Sequence, residues 1–323
     1  MQTLKHKVPV TIITGFLGSG KTTLVNHLLS ETHGEKIAVI VNEFGEVSID
    51  TELIVTSNDQ VIEMANGCIC CTVRGDLYNT LIDLIEKKKS GVYHFDRIVI
   101  ETTGLAEPGP IIQTFLAETS VESFFKIDGV ITVIDGFHLE ASLKESETVL
   151  EQIAFADVII LNKMNIIKDV TNVEQVIRKI NPRAIIYKTT KSVITTENIF
   201  DIDAFALDQD LEIHDHDSHD HIGNISSLVI KRNTPISEEG LILWVNGALL
   251  TQAKSLLRYK GIVYTTNEKE RIILQGVHNL FEIGKGKKWE EGEVKETKIV
   301  LIGKDLNKAH FEKTFDECAS FLM

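Results

Sequence analysis

Apolar and polar positions alternate in blocks along the first two hundred residues, and the blocks predict strands and helices in turn. "VPVTIIT" (8–14) is a continuous apolar run of strand length, followed by a glycine loop and the helical period of "KTTLVNHLLSET". "KIAVIVN" (36–42) is a second strand. Residues 74–89 place Leu77, Leu81 and Leu84 at helical spacing, and "RIVIET" (97–102) follows as a strand. "PGPIIQTFLAE" reads as helix, "GVITVID" (129–135) as strand and "ETVLEQIAFA" as helix. "DVIILN" and "RAIIYKTT" add two strands around the helical "VEQVIRKI". Uninterrupted apolar strands separated by helices predict an α/β fold, a mostly parallel sheet covered on both faces.

The pattern breaks at "LEIHDHDSHDHIGN" (211–224), which has no apolar period and reads as a solvated linker. Beyond it a strand, "SLVIKRN", precedes a long amphipathic helix over about 237–257. "GIVYTT", "RIILQGV" and "TKIVLIG" then read as strands, and a helix starts near 306. Grouped strands with flanking helices predict a smaller α+β domain. The expected division is a parallel-sheet α/β domain at 1–208, a His/Asp-rich linker at 209–224 and a C-terminal α+β domain at 225–323.

Composition narrows the partners. The chain has 323 residues, 43% hydrophobic and 25% charged, with a net charge of −14. That balance argues against a nucleic-acid surface. The apolar runs are too short to span a bilayer and no signal-peptide pattern opens the chain, so a cytoplasmic protein is expected. Four cysteines are too few for a disulfide framework, and three of them crowd together.

"GFLGSGKT" (15–22) matches the phosphate-loop pattern between a strand and a helix. Gly15, Gly18 and Gly20 allow the tight turn that points backbone N–H groups at phosphates, with Ser19 and Thr23 in the same cradle. Lys21 would bridge the β- and γ-phosphates, and Thr22 would ligate Mg²⁺. "ETTG" (101–104) ends a strand in an acid. Glu101 would hold Mg²⁺ or its water, and the Gly104 N–H could sense the γ-phosphate. "LNKMN" (161–165) looks like a guanine-reading loop, with Asn162 addressing N7 and Lys163 packing on the ring. Its fourth position is Asn165 rather than a carboxylate. One amide oxygen cannot accept from both guanine N1–H and the 2-amino group.

"NGCICC" holds Cys68, Cys70 and Cys71. Three thiolates suit Zn²⁺ or a related thiophilic ion and leave a fourth coordination position open. "HDHDSHDH" interleaves His214, His216, His219 and His221 with aspartates, a set suited to weak, fast-exchanging metal capture.

Together these stretches resemble the CobW/YjiA family of metal-trafficking GTPases, and its YjiA-like branch more closely. The resemblance rests on "TGFLGSGKTTL", "VNEFGEVSID", "NGCICCTVRGDL", "ETTGLAEPGPIIQTF", "DGVITVIDGFH" and "QIAFADVIILNK", and in the second half on "LLRYKGI", "LQGV", Trp289 and "IGKDL". It implies a P-loop GTPase domain followed by a small C-terminal domain. It further implies GTP hydrolysis with Mg²⁺, coupled to Zn²⁺ binding and delivery to a client metalloprotein. Carried over residue by residue, Glu43 and Glu46 belong to a first nucleotide-sensing loop, and Glu46, Cys70 and His138 match metal-binding positions. Val41 stands where the branch has an acidic ligand. A homodimer that responds to nucleotide or metal is a further expectation. Two other readings stay open: a metal buffer or sensor with incidental hydrolysis, and an ATP-using assembly factor.

Overall fold

The computed structural model describes residues 7–31, 34–41, 69–167, 169–204, 224–266 and 269–320, together with 60–63; for 60–63 and 69–74 it gives the backbone course alone. These residues form two compact units. The first runs to Val173 and takes in Ala184–Ala204, and the second comprises Glu174–Arg183 with the residues from 224 onward.

The first unit contains β1 (Val8–Thr14), α1 (Lys21–Ser30), β2 (Ile37–Val41), β3 (Gln60–Glu63), α2 (Ile69–Lys89) and β4 (Arg97–Glu101). These are followed by α3 (Pro108–Ala117), α4 (Thr119–Glu122), β5 (Phe125–Asp135), α5 (Leu139–Glu145), α6 (Glu147–Phe155) and β6 (Val158–Asn162). A helix, α7 (Val170–Ile180), and β7 (Ile185–Lys188) complete the alternation. The seven strands lie in the order β3-β2-β4-β1-β5-β6-β7, and every pairing is parallel. β1 is central, flanked by β4 and β5 from later in the chain, so the loops after all three strands converge at one edge. That crevice beyond the carboxyl ends is where open α/β sheets bind ligands.

Both faces of β1, β2, β4 and β6 are buried, which explains their uninterrupted apolar runs. Ile13, Leu24, Val25, Leu28, Val39, Val99, Ile131 and Ile160 form one core under α1. The opposite end of the sheet is fixed by charge. Arg97, fully buried at the start of β4, meets Asp128 at 2.6 Å, Glu35 at 2.9 Å and Asp201 at 2.5 Å, and stacks on the Phe200 ring at 4.3 Å. Asp128 also accepts the backbone amides of Asp201 and Asp203, each at 2.9 Å, so both buried charges are satisfied several times over.

The second unit is an antiparallel sheet ordered β11-β10-β9-β12-β8: β8 (Ile225–Arg232), β9 (Leu256–Val263), β10 (Glu270–Val277), β11 (Leu280–Lys288) and β12 (Thr297–Lys304). Two helices, α8 (Glu238–Trp244) and α9 (Lys308–Ser320), pack together on one face. Trp244 anchors that core. Its Nε1 donates to the Phe311 carbonyl at 3.3 Å and its ring meets Phe315 edge-on at 5.1 Å.

The long helix expected over 237–257 is corrected. The α-helix ends at Trp244, one π-turn follows at Val245–Leu249 and a 3₁₀ turn at Leu250–Gln252, and β9 begins at Leu256. Gly247 and the back-bonds of Thr251 Oγ1 to the Gly247 and Ala248 carbonyls loosen the helix locally. Cross-strand pairing of Arg258 with Val277 and Ile302 then claims "LLRYK" for the sheet. Helical spacing of the leucines could not reveal this, because long-range pairing overrides local period. Strands β3 and β11 were not expected either.

Candidate functional site

The glycine loop joins β1 to α1 at the convergent edge, as its mechanism requires. Gly15 and Gly20 take φ angles of 140° and 112°, which side-chain-bearing residues rarely adopt. A Cβ on Gly15 would collide with the Val133 carbonyl, and one on Gly20 would lie 2.5 Å from Asn162 Nδ2. The backbone amides of Gly18 and Gly104 meet no acceptor among the described residues. Lys21, mostly buried at the first position of α1, folds back with Nζ 3.3 Å from the Phe16 carbonyl. These are the groups of an anion cradle at a helix N-terminus.

β4 delivers the acid. Its register pairs Glu101 with Ile13 of β1, one residue short of the loop's approach. The buried Glu101 carboxylate accepts the Thr22 hydroxyl through Oε1 at 2.8 Å. The two residues assigned to Mg²⁺ from sequence therefore meet in space, and a hydroxyl beside a carboxylate is the oxygen-rich donor set a hard cation takes. Thr102 reinforces the junction. Its amide donates to the Ile13 carbonyl at 3.0 Å and its hydroxyl to Thr14 Oγ1 at 2.9 Å. Gly104 packs so closely on the loop that a Cβ there would lie 2.7 Å from the Leu17 amide nitrogen.

The segment expected to read the base follows β6. Asn162 is buried, with Nδ2 donating to the Ser19 carbonyl and to Ser192 Oγ, each at 2.9 Å. Its Oδ1 accepts the Ser192 amide at 3.0 Å. Both amide protons are thus committed to binding the phosphate loop to the segment after β7. Contact with N7 would require one of them to be exchanged. Lys163 sits at φ 61° and its Nζ lies 2.7 Å from Asp135 Oδ2. Asn165 is exposed in the short 3₁₀ turn Met164–Ile166.

Asp135 ends β5 in register with Asn162. Its Oδ2 also accepts His138 Nδ1 at 2.7 Å, and its Oδ1 accepts the Phe137 amide at 3.1 Å. Burial pushes its pKa up, but the Lys163 and His138 hydrogen bonds outweigh that and hold the carboxyl below its usual range. A cavity of about 370 Å³ opens here, lined among others by Phe16, Leu17, Asp135, His138, Gln152 and Lys163. Asp135, Gln152 and Ser192 were absent from the sequence-derived site. Asp135 carried the same signal as Glu101, an acid ending an apolar strand. Gln152 lies three residues after Val149 on the apolar face of its helix.

Cys70 and Cys71 fall in the first turn of α2, ahead of the helical span expected at 74–89, and their side chains are not described. Glu43, Glu46, Cys68, His214, His216, His219 and His221 lie outside the described residues. Among the described residues no group of three or more His, Cys, Asp or Glu is gathered to hold a metal, and no helix is long and apolar enough to cross a membrane.

A parallel sheet with this cradle, this acid and this base loop defines a P-loop nucleotide-binding protein. Residues 9–188 match the model of the CobW/HypB/UreG nucleotide-binding domain, and residues 225–319 match the cobalamin synthesis protein cobW C-terminal domain. The chain belongs to the CobW family. It is 36% identical to the zinc chaperone YjiA of Escherichia coli, over 96% of this chain and 98% of that one. The zinc chaperone CobW of Pseudomonas aeruginosa is 32% identical over 96% and 90%. The zinc-regulated GTPase metalloprotein activator 1 of Schizosaccharomyces pombe is 33% identical over 93% and 83%. The crystal structure of the Zn(II)-bound E. coli YjiA GTPase superposes with a TM-score of 0.82 at 32% identity, covering 97% of this chain and 99% of that one.

Proposed function

We propose that this P-loop GTPase gathers Zn²⁺, or a related divalent ion, on the thiolates of Cys68, Cys70 and Cys71 and couples GTP hydrolysis to its transfer to a client metalloprotein. The observation that carries the reading is the Thr22–Glu101 contact beneath the glycine loop, with Cys70 and Cys71 in the first turn of α2, which follows β3 and precedes β4 along the chain. The names borne by its relatives support zinc as cargo and guanine nucleotide as fuel.

In this reading Thr22 and Glu101 would hold Mg²⁺, which would supply charge neutralisation for the phosphates. Lys21 and the Gly104 amide add donors at the γ-phosphate, and Glu43 directs the attacking water. Water attacks the γ-phosphorus, the bond between it and the β–γ bridging oxygen breaks, GDP leaves with that oxygen, and the water oxygen ends in inorganic phosphate as its proton is released to solvent. Asn162, Lys163 and Asn165 border the base, and Ser19 and Thr23 the phosphates. Glu46 and His138 lend further ligands during metal transfer, and the four histidines of 214–221 capture the ion loosely beforehand. A reducing, cytoplasmic setting suits free thiols. Ordering of the sensing loops by the γ-phosphate draws the thiolates together, so bound metal must raise GTP affinity by the same factor.

The test is a metal titration by chelator competition of wild type and Cys70→Ala, with a non-hydrolysable GTP analogue, with GDP and without nucleotide. Tightening of metal binding by the analogue, lost in Cys70→Ala, is expected. Equal metal affinity in all three nucleotide states overturns the reading.

A further inference from the structure

The amide side chain of Gln152, on α6, is only 1% exposed. Its Nε2 donates to two carbonyls of the loop after β4, Gly104 at 3.1 Å and Ala106 at 3.2 Å. Two carbonyl acceptors demand the two protons of an NH₂ group, which fixes the orientation of the amide. Oε1 is buried and meets no donor among the described residues. The Gln152 backbone is itself tied down, because its carbonyl accepts the buried hydroxyl of Thr132, on β5, at 2.6 Å.

An apolar helix face has no packing reason to bury an amide with one end unsatisfied, a cost of about 1–3 kcal/mol. What the amide does is hold the sensing loop. Thr102 ties the start of the loop to β1, and two bonds beyond it are short-range: the Ala106 amide to the Thr103 carbonyl at 3.2 Å, and the Leu105 amide to Thr103 Oγ1 at 3.3 Å. Gln152 alone, among these contacts, connects the loop beyond Thr103 to a rigid helix. It pins the peptide planes that follow Gly104 and Ala106, while the Gly104 N–H meets no acceptor among the described residues.

We infer that Gln152 is a positioning residue for the γ-phosphate: it holds the Gly104 loop in the triphosphate-sensing conformation. The inference rests on the GTPase reading above. It predicts selective damage, because a diphosphate does not reach Gly104.

The experiment compares affinities for GDP and for a non-hydrolysable GTP analogue, in the full chain, for wild type, Gln152→Met and Gln152→Glu. Met keeps length and volume and removes both donors. Glu keeps the shape and sets a carboxylate against two carbonyls. Gln152→Met should bind GDP within about twofold of wild type and the analogue about tenfold more weakly, the effect of one lost charge-assisted contact. Gln152→Glu should widen the gap. kcat should fall with the analogue affinity. Equal weakening of both nucleotides, or unchanged binding of both in either variant, overturns the assignment. If Gln152→Met does not fold, the Gln152→Glu ratio decides alone. A wild-type protein that binds neither nucleotide overturns the GTPase reading itself, and the assignment with it.

Discussion

The hydroxyl of Thr22 donates to Oε1 of Glu101 over 2.8 Å, joining the first turn of α1 to the end of β4. The contact links residues 79 positions apart and exists because β1 and β4 are neighbours in the sheet. In Thr22→Val and Glu101→Gln, GTP hydrolysis should fall at least about a hundredfold, ~2.7 kcal/mol of transition-state stabilisation. Steady-state assays across a Mg²⁺ series check this. Retained activity at ordinary Mg²⁺ would remove both residues from the cation site.

Asp135 supports Lys163 at 2.7 Å while the lysine backbone holds a left-handed conformation. Asp135→Asn weakens that support without emptying the space. The expected result is a nucleotide KM raised several-fold with kcat near wild type, because in the proposed reading the lysine borders the base rather than the phosphates; one hydrogen bond to a charged group contributes about 1.5–3 kcal/mol before discounting for the lysine's partial exposure. A fall in kcat at constant KM contradicts the positioning role.

Asn165, exposed where guanine-reading loops carry a carboxylate, should give modest discrimination among GTP, XTP and ATP. Asn165→Asp should raise kcat/KM for GTP about tenfold or more and lower it for XTP, since a carboxylate accepts from both guanine donors. Hydrolysis rates of the three nucleotides by wild type and variant decide the matter. An unchanged ranking would show that the base is read elsewhere.

Removing one side of the buried Arg97–Asp128 pair leaves the other charge stranded. Arg97→Met should cost about 3–5 kcal/mol of stability in denaturant unfolding, while the folded fraction keeps its nucleotide affinity. A loss below about 1 kcal/mol would show the network to be dispensable.

Much of the candidate site was legible in the chain because its parts are local. A glycine loop between strand and helix, or an acid at the end of an apolar run, is encoded within a few residues whose φ angles or burial demand those side chains. The alternation of apolar runs likewise required a parallel sheet, since only strands covered on both faces dispense with polar positions. The "LLRYK" stretch shows the limit. Its leucines satisfy a helical period, and only the pairing of Arg258 with Val277 and Ile302 makes it a strand.

Sequence alone determined the cradle, the acid, the thiol cluster and the missing carboxylate at Asn165, each set by side-chain chemistry or backbone freedom at its own position. Tertiary structure decided which of them meet. Strand order brought Thr22 to Glu101, register set Asp135 beside Asn162, and helix packing aimed Gln152 at the Gly104 and Ala106 carbonyls. These partners lie far apart in the chain. Hydrogen bonds between them depend on ångström distances fixed by the packing of the whole sheet, which no local pattern of residues carries.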